Sequence, residues 1–236
     1  MIFSDVSVPA VFVRRKNRFV AECRLGSESV EVHVKNTGRL RELLVPEAPV
    51  LLCPGKNSPR RTPYDLIAVR HRKLWINVDS QACNPVFAEW AESGNWLRGA
   101  AELRPETVYG DSRLDYGLML DGVPAFCEVK GVTLVRDGTA LFPDAPTERG
   151  TKHLRTLIRA RTQGYAAAVC FMVMREDADR VTPNHEQDPA FARGLLEAAA
   201  AGVILTAARC RVTENECTAM EAIPVILTDE KREEWA

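Results

Sequence analysis

The sequence predicts an α/β protein whose N-terminal part is all-β and closes into a small barrel of the OB type. Three observations carry this. Short apolar segments separated by basic turns crowd residues 11–80. Asn84-Pro85 then opens the first helical pattern. Beyond it, strand-like and helix-like stretches alternate around one continuous apolar run, Ala166 to Met174. Closely spaced short strands make barrels, and strands alternating with helices make a sheet with helices packed on it. The boundary falls at 82/83: residues 1–82 form the basic barrel and residues 83–236 the α/β domain.

Taken in order, Val11-Phe12-Val13 and Phe19-Val20-Ala21 flank the basic turn Arg14-Arg15-Lys16-Asn17-Arg18. Ser29 to Val34 alternates, with Val30, Val32 and Val34 on one side. Val50 to Cys53, Leu66 to Val69 and Leu74 to Val78 supply further strands. Pro85 suits the first helical position. Phe87, Trp90 and Ala91 give the stripe of that helix, and Gly94 stops it. Residues 103–135 hold a hairpin, with Glu106 just before its first strand. A helix starts near Thr147 and ends before Gly164, with Leu154, Leu157 and Ile158 at helical spacing. Ala166–Met174 has strand length and no polar residue, so it reads as a central buried strand. Asp188-Pro189 starts an Ala-rich helix that Gly202 closes, and Val203 to Ala207 returns as a strand. Asp229 to Glu234 reads as a solvated tail.

Composition narrows the function classes. An apolar content of 46% is enough for a sizeable core. No apolar run approaches the roughly 20 residues that cross a bilayer, so no membrane association is expected. Met1 to Ala10 contains Asp5 and lacks the pattern of a signal peptide. The seven cysteines are odd in number and show no C-x-x-C spacing. They are expected to be buried thiols of a cytoplasmic protein rather than disulfides or a zinc site. Net charge is only −1, but it is divided. Residues 1–80 carry 14 Lys+Arg against 8 Asp+Glu, and the remainder carries 17 against 24. A polyanion is therefore expected to meet the barrel.

Two groups of residues point to chemistry. In the barrel, Asn36-Thr37-Gly38 is a turn followed by Arg39 and Arg41. Gly lets a phosphate approach the backbone, and Arg forks onto its oxygens. Arg14, Arg15, Lys16, Arg18, Arg60 and Arg61 extend the expected nucleic-acid surface; the plain alternative is a solvated loop with exposed arginines. In the second domain, Ser112-Arg113-Leu114-Asp115 and Phe126-Cys127-Glu128-Val129-Lys130 flank the turn Asp121-Gly122. Glu128 and Lys130 share a face, and an antiparallel partner brings Asp115 beside them. Two carboxylates and a lysine can hold a divalent cation and act on a phosphodiester, although an E-x-K pair on a strand is more often a solvated face. Glu89 on the first helix is a weaker candidate ligand. Arg149, Lys152 and His153, at the start of the second helix, and Arg113 are candidate supporting groups.

The motifs His33-Val34-Lys35-Asn36-Thr37-Gly38-Arg39-Leu40, Asn84-Pro85, Ser112–Asp115, Glu128-Val129-Lys130 and the long block Phe142–Leu154 together resemble the sugar fermentation stimulation protein A family of prokaryotes. The resemblance runs from about residue 12 to 207. Lys35 departs from it, since the family usually has Pro there. The resemblance implies an OB-like barrel followed by a PD-(D/E)XK nuclease-like core, binding of nucleic acid, with DNA the expected partner, and a regulatory link to sugar metabolism. It matches Asp115 and Glu128 to metal-binding acids, Lys130 to the motif lysine and, less directly, Glu89 to the acid of the first helix. The implied cofactor is Mg²⁺ or Mn²⁺. Two other readings stay open: a non-catalytic DNA-binding regulator with a vestigial site, and a small-ligand or RNA binder acting through the barrel.

Overall fold

Six strands, β1 (Val8–Arg15), β2 (Val20–Leu25), β3 (Glu28–His33), β4 (Pro49–Pro54), β5 (Tyr64–His71) and β6 (Leu74–Asn77), build the N-terminal half in a computed structural model that describes residues 1–3, 7–55 and 60–227. Their order is β3-β2-β1-β4-β5-β6, and a parallel pairing of β3 with β5 closes the first five strands into the expected barrel. Register shifts in β1 between Phe12 and Arg14, and in the β4–β5 pair at Leu51–Leu52, let the strands bend around it. Phe12, Ala21, Val32, Leu52, Leu66 and Ile76 fill the interior. Leu40 and Leu43, just after the Asn-Thr-Gly turn, plug it. Burial of Leu40 leaves Arg39 and Arg41 exposed on either side of it.

A short 3-10 turn at Ser80–Ala82 leads into α1 (Cys83–Glu92). The helix begins two residues before the position expected from Pro85, because Asp79 caps the preceding turn by accepting the Gln81 N–H. Then come β7 (Ala100–Tyr109), β8 (Ser112–Leu120), β9 (Val123–Val132), β10 (Val135–Arg136), β11 (Thr139–Phe142), α2 (Glu148–Thr162), β12 (Ala166–Val173), β13 (Arg180–Pro183), α3 (Pro189–Ala200), β14 (Ile204–Val212) and β15 (Cys217–Ala222). The main sheet runs β15-β14-β12-β9-β8-β7. β9, β12 and β14 are parallel, and the flanking strands are antiparallel, so the sheet is mixed as expected. β12 is buried along its whole length. Its Ala168, Cys170 and Met172 pack with α1, and its Ala167, Val169, Phe171 and Val173 pack with α2 and α3.

Some elements differ from the sequence reading. β7 was not expected, and Glu106 lies within it rather than ahead of the first strand. β7 is an edge strand, mostly exposed, with Glu102 and Glu106 at positive φ, so it carries no clean alternation. Residues 1–3 do not start the barrel: Ile2 bridges to Glu216, and the Phe3 N–H donates to the Asn215 carbonyl. The tail at Asp229–Glu234 lies outside the described residues. All seven cysteines are buried, and burial pushes the Cys23 and Cys170 thiols up to about 12. No helix among the described residues is long and apolar enough to cross a membrane.

Candidate active site

The β8–β9 hairpin turns at Asp121-Gly122, both with positive φ (50° and 78°). Such a turn matches the twist of the strands it joins, and Gly enters that region without a side-chain clash. Main-chain pairing runs from Leu120↔Val123 to Tyr116↔Cys127. One residue further the strands part. There the Asp115 carboxylate accepts the Val129 N–H through Oδ2 at 2.8 Å. Its Oδ1 accepts from the Asn84 amide on α1 at 3.0 Å. Asp115 is thus fixed from two elements at the point where the strands split.

Glu128 lies at that split, buried beneath α2 with 3% of its surface exposed. Lys130, two residues along on the same face, donates to Glu128 Oε1. His153 of α2, also buried, donates from Nδ1 to the same oxygen, since a carboxylate can only accept. Glu128 Oε2 is buried with no hydrogen-bond partner among the described residues. Burial pushes the Glu128 carboxyl up, but Lys130 and His153 outweigh burial and hold it below its usual range. Asp115 goes the other way: burial, reinforced by the Glu128 charge, pushes it up against the opposing hydrogen bonds. Asp115, Glu128, Lys130 and His153 are therefore brought together.

Other candidates are not. Glu89 is exposed and pairs with the Met1 ammonium rather than with a member of this cluster. Asn84, five residues earlier and so on a different face of α1, meets Asp115 instead. Arg113 is exposed and faces Glu106 at 3.6 Å. Lys152 lies beside Asp111 at 3.1 Å. Arg149 is exposed and lines a cleft between the two halves of the chain.

The basic barrel residues divide in the same way. Arg15 clamps its own loop, donating to the carbonyls of Arg18, Asn36, Gly38 and Arg39 at 2.7–2.9 Å. Arg14 pairs with Glu22, and Lys16 with Glu31 and Glu22. Arg61 faces Glu31 at 3.4 Å, and Arg60 pairs with the buried Asp65. All five are engaged within the barrel: Arg15 by backbone carbonyls, and Arg14, Lys16, Arg60 and Arg61 by acidic residues that offset the charge the sequence concentrates there. Arg18, Arg39 and Arg41 make no ion pair with a described residue, and they line a groove of about 430 Å³ with Thr37 and Gly38. Asn36 does not face this groove with its amide. Its Nδ2 donates to the Val78 carbonyl, and its Oδ1 accepts the Gly38 N–H.

The groove adjoins the cleft, which encloses about 450 Å³ and is lined by Arg18, Thr37, Ser80, Gly131 and Arg149 among others. A latch crosses it: the Arg39 N–H donates to Asp144 Oδ2 at 2.9 Å. Gly38 permits this approach, since a Cβ there would run into the Asp144 carboxylate. Sequence reasoning missed Asn84 and Asp144 as site-building residues. Both sit beside prolines, in Asn84-Pro85 and Pro143-Asp144, which mark a helix start, a turn and the family resemblance but assign no role to either side chain.

Comparison with known proteins agrees with this architecture. The model described as SfsA N-terminal OB domain matches residues 13–78, and the one described as Sugar fermentation stimulation protein RE domain matches residues 81–216. A sugar fermentation stimulation protein homolog of Desulfitobacterium hafniense is 43% identical, over 92% of this chain and 95% of its own. The homolog of Caldanaerobacter subterraneus subsp. tengcongensis is 42% identical, over 96% of this chain and 100% of its own. Among solved structures, one described as Pyrococcus Furiosus SfsA in complex with Ca²⁺ superposes with a TM-score of 0.88 at 28% identity, covering 96% of this chain and 98% of that one. The two matched domains, in the order that the barrel and the mixed sheet follow along the chain, make it a member of the sugar fermentation stimulation protein family.

Proposed function

We propose that this chain binds nucleic acid, most naturally DNA, and carries a divalent-metal site of the PD-(D/E)XK kind that can cleave phosphodiesters. The observation that carries the reading is that Glu128 Oε2, buried with no partner among the described residues, belongs to a carboxylate close enough to Asp115 to push its carboxyl up. Two neighbouring carboxylates are hard oxygen donors, which suits Mg²⁺ or Mn²⁺. Among the described residues no three His, Cys, Asp or Glu side chains form a ready cage. A cation held here would keep several waters and take one or two carboxylates. The Ca²⁺ in the description of the Pyrococcus furiosus relative supports the same donor chemistry.

A bound cation would polarise a phosphoryl oxygen and lower the pKa of a bound water. The chain's own residues do the rest. Asp115 is oriented by Asn84 and the Val129 N–H, so its carboxylate is held for binding. Lys130 supplies a positive charge at the site to stabilise charge developing on the phosphate. Arg18, Arg39 and Arg41 hold the strand by its phosphates, and Arg149 extends this surface into the cleft. Phe12 fills the barrel, and Phe19 is the exposed ring beside Arg18. Binding is thus led by the backbone rather than by stacked bases. The buried cysteines suit a cytoplasmic location.

A second reading rests on one contact: Lys130 is bound to its own neighbour Glu128. On this reading the cluster is a scaffold, and the chain is a non-catalytic DNA-binding regulator of sugar metabolism. Purified protein with Mg²⁺ or Mn²⁺ and labelled single- and double-stranded DNA separates the two. Cleavage lost in Asp115→Ala and Lys130→Ala supports the enzyme. Salt-sensitive binding without cleavage supports the regulator.

A further inference from the structure

The two oxygens of Glu128 have different surroundings. Oε1 accepts from both Lys130 and His153, while Oε2 has no partner among the described residues. A carboxylate rotates easily about its last torsion, so something must decide which oxygen is left without a partner. Lys130 is a point charge on a flexible four-carbon stem and orients weakly. His153 is a flat ring on a helix that is itself registered against the sheet. Leu154 and Leu157 are fully buried, and Thr156, one turn on, shares a 2.8 Å hydrogen bond with Ser112 of β8. His153 and Thr156 thus form a buried polar stripe on α2, with one member docked on β9 and the other on β8. Burying an imidazole there costs free energy unless its N–H is used.

We propose that His153 is a positioning residue: its Nδ1–H holds Glu128 Oε1, so that Oε2 is presented with Asp115 to a divalent cation. This rests on the metal reading given above and adds to it the residue that sets the ligand's orientation. Groups that orient metal ligands typically change affinity 10–100-fold when removed.

The test is Mn²⁺ binding to the full chain, read by the electron paramagnetic resonance of unbound Mn²⁺, with metal-free unfolding temperatures recorded alongside. His153→Asn places an amide N–H near the position of Nδ1. His153→Gln places it one atom further out. The expected result is a 10–100-fold weaker affinity for His153→Gln and recovery of most of it in His153→Asn. Should His153→Gln not fold, His153→Ser, which keeps a small polar group, carries the same expected loss. A merely structural histidine predicts lowered unfolding temperatures with Mn²⁺ affinity equal to wild type below them. Equal affinity in the folded variants overturns the role of His153 and leaves the metal site standing. Failure of the wild-type chain to bind Mn²⁺ overturns the metal reading and this inference with it.

Discussion

Asp115 is pulled in two directions. Its oxygens are held by Asn84 and the Val129 N–H, yet burial and Glu128 disfavour its charge. Asp115→Asn keeps an acceptor for Val129 and, with Asn84 turned over, a partner for its new N–H. Its stability is therefore expected to stay within about 1 kcal/mol of wild type, while the rise in unfolding temperature on adding Mn²⁺ disappears in a thermal melt. Lys130→Met leaves Glu128 buried with His153 as its remaining side-chain partner. A loss of about 3 kcal/mol is expected in urea unfolding. Gly38→Ala forces a methyl against the Asp144 carboxylate and the Asn36 side chain. It is expected to cost about 1–3 kcal/mol by overpacking and to loosen the latch between barrel and core.

At the level of elements, the strands that deliver the site were readable because their chemistry is local. Asp121-Gly122 announced the hairpin, the apolar run announced β12, and Thr147 and Asp188 cap α2 and α3 close to where the sequence started those helices. β7 and Glu89 were not readable in this way. An exposed, bulged edge strand has no periodicity, and which face of α1 meets Asp115 is set by how its apolar stripe packs in the folded chain. The same holds for the barrel's arginines, whose partners Glu22, Glu31 and Asp65 come from other strands. Asp65 on β5 shows the consequence. Burial pushes it up, but Arg60 and Lys35 prevail and lower it. A carboxyl with a lowered folded value stabilises the protein above its unfolded value, and that contribution is lost as pH falls through the folded one. Unfolding followed from pH 6 downward is expected to show a shallower acid loss for Asp65→Asn than for wild type.

Across the whole molecule, a basic half and an acidic half meet along a cleft that the Arg39–Asp144 hydrogen bond crosses. Only part of the basic half's charge remains outward. Replacing Arg18, Arg39 or Arg41 by Ala is expected to lower the salt slope of DNA binding by about one each, whereas Arg14→Ala or Arg61→Ala changes it less because each already faces Glu22 or Glu31. Fluorescence anisotropy across a salt series checks this. The proposed function of the entire chain depends on a metal site formed by Asp115 and Glu128. A crystal soaked in Mn²⁺ and measured at the manganese absorption edge tests that most directly. The expected result is an anomalous peak bonded to Asp115 and to Glu128 Oε2, with none at Glu89; a soaked crystal with no peak between Asp115 and Glu128 would contradict it.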